Sequence, residues 1–145
     1  MGKVERKLLL AYVNNVRPIT RYDKQLHKDF FYFKMIMEEE FDLRPDLYFE
    51  LIDEKKGKTE FKNEPYCHGL EMLVFKLLEE GKFEYVEAGL IDISKEGYKE
   101  LVELRKVVDP IAPSVRYMIT RFDDDKYHQK YRLKIKQMKE KKEPY

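Results

Sequence analysis

Residues Glu64 to Leu104, EPYCHGLEMLVFKLLEEGKFEYVEAGLIDISKEGYKELVEL, decide the fold, because every joint between their elements is marked. Leu70, Leu73, Val74, Leu77 and Leu78 recur at the i, i+3, i+4, i+7, i+8 spacing of one helix face. Gly81 stands where that helix would end in a left-handed cap, which glycine adopts without a Cβ clash. Phe83, Tyr85 and Val86 then face Leu90, Ile91 and Ile93 across Glu87-Ala88-Gly89, a length and composition suited to a hairpin loop. Ser94 predicts the N-cap of a second helix, with Tyr98, Leu101, Val102 and Val108 on one face. The stretch reads helix, hairpin, helix.

Toward the N-terminus, Lys3 to about Val16 predicts a helix with Leu9, Tyr12, Val13 and Val16 on one face and Leu8 alongside. Arg17-Pro18 ends it, since the residue before proline avoids helical angles. Thr20 with Asp23 three positions on resembles a capping box and opens a second helix, in which Leu26, Phe30, Phe33 and Met37 share one side. The cluster Phe30 to Phe33 reads as core facing two directions rather than as an aromatic binding platform, because large aromatics supply most of a small domain's burial. Glu38-Glu39-Glu40 reads as a solvated acidic patch. Leu47 to Ile52 alternates as a strand, Asp53 to Lys58 is a polar turn, and Thr59 to Lys62 is a shorter returning strand. A hairpin is thus inserted before the central stretch.

Toward the C-terminus, Asp109-Pro110-Ile111-Ala112-Pro113 is a break that divides residues 1–109 from an extension over 110–145. Ser114 is expected to cap a short helix carrying Val115, Met118, Ile119 and Phe122, which Asp123-Asp124-Asp125 interrupts. In the final segment Tyr131, Leu133 and Ile135 alternate with cations as in a strand, whereas Tyr127, Tyr131, Ile135 and Met138 fit a helix. Length and composition favour the helix. Its apolar stripe must pack on the chain's own core or on a second copy, and a homodimer is the expectation.

Hydrophobic residues make up 43% and charged residues 39% of 145, which describes one soluble domain with a core, an extension and a heavily charged surface. Abundant Lys and Glu with no Trp are compatible with a thermophile's surface. No apolar run approaches the ~20 residues that span a bilayer. The N-terminus lacks a small-residue cleavage site, so a cytoplasmic location without membrane contact is expected. The single Cys67 excludes an intrachain disulfide and a multi-cysteine zinc site, and reads as a small residue starting a helix. The net charge of +1 hides segregation: residues 1–34 carry +5, residues 35–125 carry −10 and residues 126–145 carry +6.

With this order of elements the chain resembles a winged-helix protein, and more narrowly is similar to the Panacea-type domain of some bacterial antitoxins and its small relatives. Thr20 to Lys28 occupies the place of that family's leucine-glutamine-lysine segment, with Gln25 and Leu26 in swapped order. Glu64-Pro65-Tyr66 stands where such domains have glycine-proline before a helix, with Glu64 replacing the glycine. Leu90 to Gly97 resembles the strand-to-helix junction shared by many winged helices. The likeness covers roughly the first hundred residues. It implies an α+β fold: a winged helix-turn-helix core with an inserted β-hairpin and a C-terminal helical extension. It also implies two functions, DNA binding with the helix before the wing in the major groove, or neutralisation of a protein partner. Fold does not choose between them.

The residues lean toward nucleic acid at the chain's ends. The helix before the wing offers His68 and Lys76 but also Glu71, Glu79 and Glu80, and its second face, Met72 and Phe75, is apolar. The wing tip, Glu87-Ala88-Gly89, carries no cation for a minor groove. Direct reading of base edges there is disfavoured. The expected phosphate-binding residues are Arg17, Arg21, Lys24 and Lys28, with Lys130, Arg132, Lys134, Lys136 and Lys139, provided the last helix packs beside the second. The reading is a non-catalytic DNA- or RNA-binding protein, in transcription regulation if DNA is the target. The alternative is a protein-interaction module, antitoxin-like or an adaptor, contacting its partner through Met72, Phe75, Tyr131, Ile135 and Met138. Pro45-Asp46 followed by Glu54-Lys55-Lys56 matches a metal-dependent nuclease pattern, but its second half falls in a turn and the alternating strands and helices of that fold are missing. His27, His68 and His128 show no ligand spacing, and Asp123-Asp124-Asp125 lacks the spaced acids of a calcium loop. No catalytic constellation, metal or cofactor is assigned.

Overall fold

The computed structural model describes residues 2–108 and 113–145. The fold is α+β. The described residues form six α-helices and three small antiparallel pairs of strands. Helix α1, Lys3–Asn15, ends where Arg17-Pro18 was expected to end it. Leu8 to Val13 are all buried, because strand β6 (Ile91–Ile93) and helices α4 (Lys95–Val108) and α5 (Val115–Thr120) enclose α1 from several sides; Val16, expected on the buried face, is exposed. Ile19 then forms a single antiparallel bridge with Ile91, with N–H···O distances of 2.9 and 2.6 Å.

Helix α2, Lys24–Phe41, is capped by Asp23 and not by Thr20. Asp23 accepts the Leu26 N–H at 2.9 Å, while Thr20 donates its own N–H to the same carboxylate at 3.0 Å. The cap must adjoin the first helical residue, and Asp23 does. Phe30 and Phe33 meet Tyr12 at 5.6 and 6.1 Å, whereas Phe31 meets Phe49 at 5.2 Å and Tyr131 at 5.3 Å. The aromatic cluster is core on two sides.

The inserted hairpin exists with different pairing. Strand β1 is only Glu50–Ile52, and it pairs with β4, Glu64–Tyr66, instead of with Thr59 to Lys62. Pro65 lies opposite Leu51, a rung where a residue lacking an N–H breaks no ladder bond. Leu47 and Phe49 are buried as their alternation implied, but lie before the ladder. Strands β2, Lys55–Lys56, and β3, Thr59–Glu60, form the tip. Gly57 there has φ +58°, the sign a tight hairpin turn requires, and a Cβ would sit 3.1 Å from the Tyr22 ring.

Helix α3, His68–Glu79, buries Leu70, Leu73, Val74 and Leu77. It ends at Gly81, φ +75°, with Gly81 N–H bonded to the Leu78 carbonyl at 3.1 Å and Lys82 N–H to that of Leu77 at 2.8 Å. That pair of bonds is a Schellman cap. Strands β5, Phe83–Tyr85, and β6, Ile91–Ile93, pair as the sequence implied. Helix α4, Lys95–Val108, is capped by Ser94, whose Oγ accepts the Gly97 N–H at 3.1 Å. Leu101 is its buried anchor with Leu104 packed alongside, while Tyr98, expected on that face, is 48% exposed. The expected boundary at 109/110 lies outside the described residues, as does the Val108 side chain.

Ser114 caps α5, Val115–Thr120, and Asp124 caps α6, Asp125–Lys141, so the acidic triplet opens the last helix as well as ending the preceding turn. The last segment is helical. Val115, Met118, Tyr127 and Met138 join the same buried cluster as α1, α2 and α3. No helix among the described residues is long and apolar enough to cross a membrane.

Candidate nucleic-acid interface

Helix α6 lies along α2, and the acidic end of α2 holds it there. Tyr131 stacks on Tyr32 at 5.0 Å and 7° between planes. Tyr127, fully buried, donates its hydroxyl to Glu40 at 2.5 Å, and Glu40 also accepts from Tyr117 at 2.5 Å and Arg121 at 3.1 Å. Glu39 pairs with Lys130 at 2.6 Å and Lys126 at 3.2 Å, and Glu38 accepts the Tyr145 hydroxyl at 2.7 Å. Glu38-Glu39-Glu40 is thus a docking surface, correcting the expectation of a solvated patch. Burial pushes the Glu40 carboxyl up, but the hydrogen bonds from Tyr117, Tyr127 and Arg121 outweigh it and leave it below the ordinary carboxylate value. Hydrogen bonds from Lys130 and then Lys126 lower Glu39 as well.

This docking sorts the nine expected phosphate-binding cations. Arg17 forks onto the buried Asp23 at 2.5 and 2.8 Å and sits 5.7 Å from the Tyr12 ring, which makes it part of the helix cap. Arg21 covers Phe75 at 4.5 Å, and Lys24 pairs with Glu64 at 3.3 Å. Lys130 is neutralised by Glu39, and Lys134 sits 4.3 Å over the Tyr145 ring. Lys28 reaches α6, 5.4 Å above the Tyr131 ring. Arg132, Lys136 and Lys139, spaced i, i+4, i+7, share one exposed face of α6. Arg132 and Lys139 make no ion pair among the described residues, and Lys136 only a loose one with Glu140 at 4.0 Å. Of the N-terminal set, then, Lys28 is the residue seen joining the C-terminal one. The candidate list missed Lys142, which is exposed just beyond the helix in a left-handed conformation, φ 53°. It lines one groove with Lys139, Leu51 and Asn63.

The candidate partner-binding residues separate in the same way. Tyr131, Ile135 and Met138 pack against their own chain, one of the two arrangements expected of that stripe. Phe75 is half-buried, with Arg21 on one side and Tyr22 edge-on at 5.9 Å. Met72 is 50% exposed on α3.

One buried polar node was not legible in the sequence. His27 is fully buried; its Nδ1 accepts the Cys67 N–H at 3.0 Å and its Nε2 lies 3.2 Å from Glu71 Oε2. An accepting Nδ1 leaves the proton on Nε2, so a neutral ring donates to Glu71. Glu71 also accepts the Tyr22 N–H at 3.3 Å, and Tyr66 stacks on His27 at 4.6 Å. The node ties α2, β4 and α3 together away from solvent, so it fits architecture and not acid–base chemistry on a ligand. The nuclease-like halves stay on different segments. Asp46 donates its backbone N–H to Glu5 at 2.5 Å beside α1, and Glu54 pairs with Lys56 at 3.6 Å at the hairpin tip. Among the described residues no group of three or more His, Cys, Asp or Glu is placed to hold a metal ion. Compared with protein-family models, with curated proteins and with solved structures, the chain matches none.

Proposed function

We propose that this chain is a non-catalytic winged-helix protein that binds nucleic acid through its phosphates, along the outer face of α6 and the adjoining Lys28. One observation carries the reading: α6 spends Lys126 and Lys130 on docking to Glu39, yet leaves Arg132, Lys136 and Lys139 aligned and facing solvent. A row of cations one helical turn apart suits a phosphate backbone and carries no base-edge specificity. The order α1, bridge at Ile19, α2, α3 and the β5–β6 hairpin supports the winged-helix assignment.

The test is binding of labelled duplex DNA and single-stranded RNA over a salt series. Four to five neutralised phosphates give a slope of log K on log salt of about −3.6 to −4.5 for duplex, or about 150- to 500-fold weaker binding from about 50 to 200 mM salt. Changing Arg132, Lys136 and Lys139 together to Gln flattens the slope by about 0.9 for each lost contact. Arg17→Gln lowers stability and leaves the slope alone. Absence of binding at low salt, or an unchanged slope in the triple variant, overturns the reading.

A further inference from the structure

A second recognition surface lies where α1 begins beside α3. A groove of about 490 Å³ opens there, with Met72 and Leu73 as its apolar floor. Gly2 and Gly69 line its walls. Leu73 is buried and continues into the core, while Met72 is half-exposed and flexible, a residue type that adapts to varied apolar partners. Along α3 the lining runs from Gly69 to Lys76, about 10 Å at the helical rise. That length and volume suit one or two large side chains, not an extended polymer.

The rim is cationic. Lys3 and Lys76 are exposed and make no ion pair among the described residues. Arg6, the third cation, is held by Glu100 and by Glu80 at 2.6 Å, so it serves as a rigid wall. Two exposed ammonium groups held in no close ion pair, beside an exposed methionine, call for carboxylates next to an apolar anchor. We infer that this groove docks an acidic protein segment, inserting a Leu- or Phe-sized side chain onto Met72 and placing flanking carboxylates on Lys3 and Lys76. A phosphate backbone would engage the lysines and leave the apolar floor empty. The residues are distinct from the α6 row, so the two surfaces can be occupied independently.

The experiment uses the full chain and a fluorescein-labelled peptide of about twelve residues, in which Leu and Phe recur at helical spacing among Asp and Glu. Anisotropy measures affinity, and NMR of the labelled protein locates the contact. Saturable binding is expected, with the Met72 methyl and α3 amides shifting. Met72→Glu and Lys76→Glu each weaken it about tenfold or more, and Lys139→Gln leaves it unchanged. Peptides with Leu and Phe replaced by Ser, or with Asp and Glu replaced by Asn and Gln, bind at least about tenfold more weakly. Circular dichroism reports whether Met72→Glu folds; if it does not, Lys76→Glu and the shift map decide. The inference is overturned by absence of saturable binding, by equal binding of the Ser-substituted peptide, or by shifts on α6 instead of α3. That last outcome would be polyanion binding at the phosphate row, and the salt series separates failure of that reading from failure of this one.

Discussion

Replacing Glu40 by Ala should loosen the whole C-terminal helix from α2. The carboxylate accepts hydrogen bonds from Tyr117, Tyr127 and Arg121, and only Tyr127 is fully buried. Stranding that hydroxyl costs about 1–3 kcal/mol. The two more exposed donors, Tyr117 and Arg121, add little, because water replaces the carboxylate. The expected loss is about 2 kcal/mol, a fall in Tm of about 4–8 °C for a chain of this length. Glu40→Gln keeps one acceptor oxygen and should lose about half as much. Urea unfolding of both variants, with Tyr127→Phe as the second leg of a double-mutant cycle, isolates the Glu40–Tyr127 pair, for which a coupling of about 1 kcal/mol is expected. Acid supplies an independent check. The folded carboxyl of Glu40 lies below its unfolded value, so its contribution is complete above about pH 4.3 and disappears as pH falls through the folded pKa. The difference between wild type and Glu40→Ala must therefore shrink from about pH 6 to about pH 3. A variant within about 0.5 kcal/mol of wild type at neutral pH, or a difference that persists in acid, would refute the assignment of Glu40 as the docking node.

Three further outcomes follow from other parts of the molecule. Gly97→Ala places a Cβ 2.1 Å from the Lys82 carbonyl oxygen, a backbone atom that cannot yield, and should cost about 3 kcal/mol or more in thermal unfolding; an unchanged Tm would mean that the β5–α4 junction is looser than it looks. His27→Ala strands the Cys67 N–H and one oxygen of the Glu71 carboxylate in a buried site and should destabilise by about 3 kcal/mol, without altering the salt dependence of the proposed nucleic-acid binding. Burial pushes the Tyr131 phenol up to about 12, and Tyr12, Tyr66, Tyr127 and Tyr145 are raised further by burial, with carboxylate partners adding to it. The unfolded chain releases these protons near pH 10, so stability is full below about pH 10 and falls above it. Ultraviolet titration should show these tyrosines ionising together with unfolding, and free titration at pH 10 in the folded state would contradict their burial.

What the sequence made legible was local. Leu70 to Leu78, Gly81 and Ser94 each mark a boundary through their own backbone preference, and the structure places α3, the Schellman cap and α4 at those boundaries. The hairpin partner of β1 was not legible, because alternation shows that a strand exists but not which strand completes it. His27 and Glu71 lie 44 residues apart, and no spacing rule links them.

The charge runs were legible in composition and illegible in purpose, for one physical reason. Glu38-Glu39-Glu40 and the basic tail look like two solvated faces when each is judged by its own neighbours, but opposite charges separated by about ninety residues can neutralise each other once α2 and α6 pack. Lys130 and Lys134 therefore resemble Arg132 and Lys136 in sequence, while one pair lies over Glu39 and Tyr145 and the other faces solvent. The helical period distinguishes them only after the buried stripe is anchored: with Tyr127, Tyr131 and Met138 turned inward, Lys130 and Lys134 fall on the flank toward Glu39 and Tyr145, and Arg132, Lys136 and Lys139 on the other. The proposed phosphate-binding surface is thus defined less by how many cations the tail carries than by which of them the acidic end of α2 leaves unpaired.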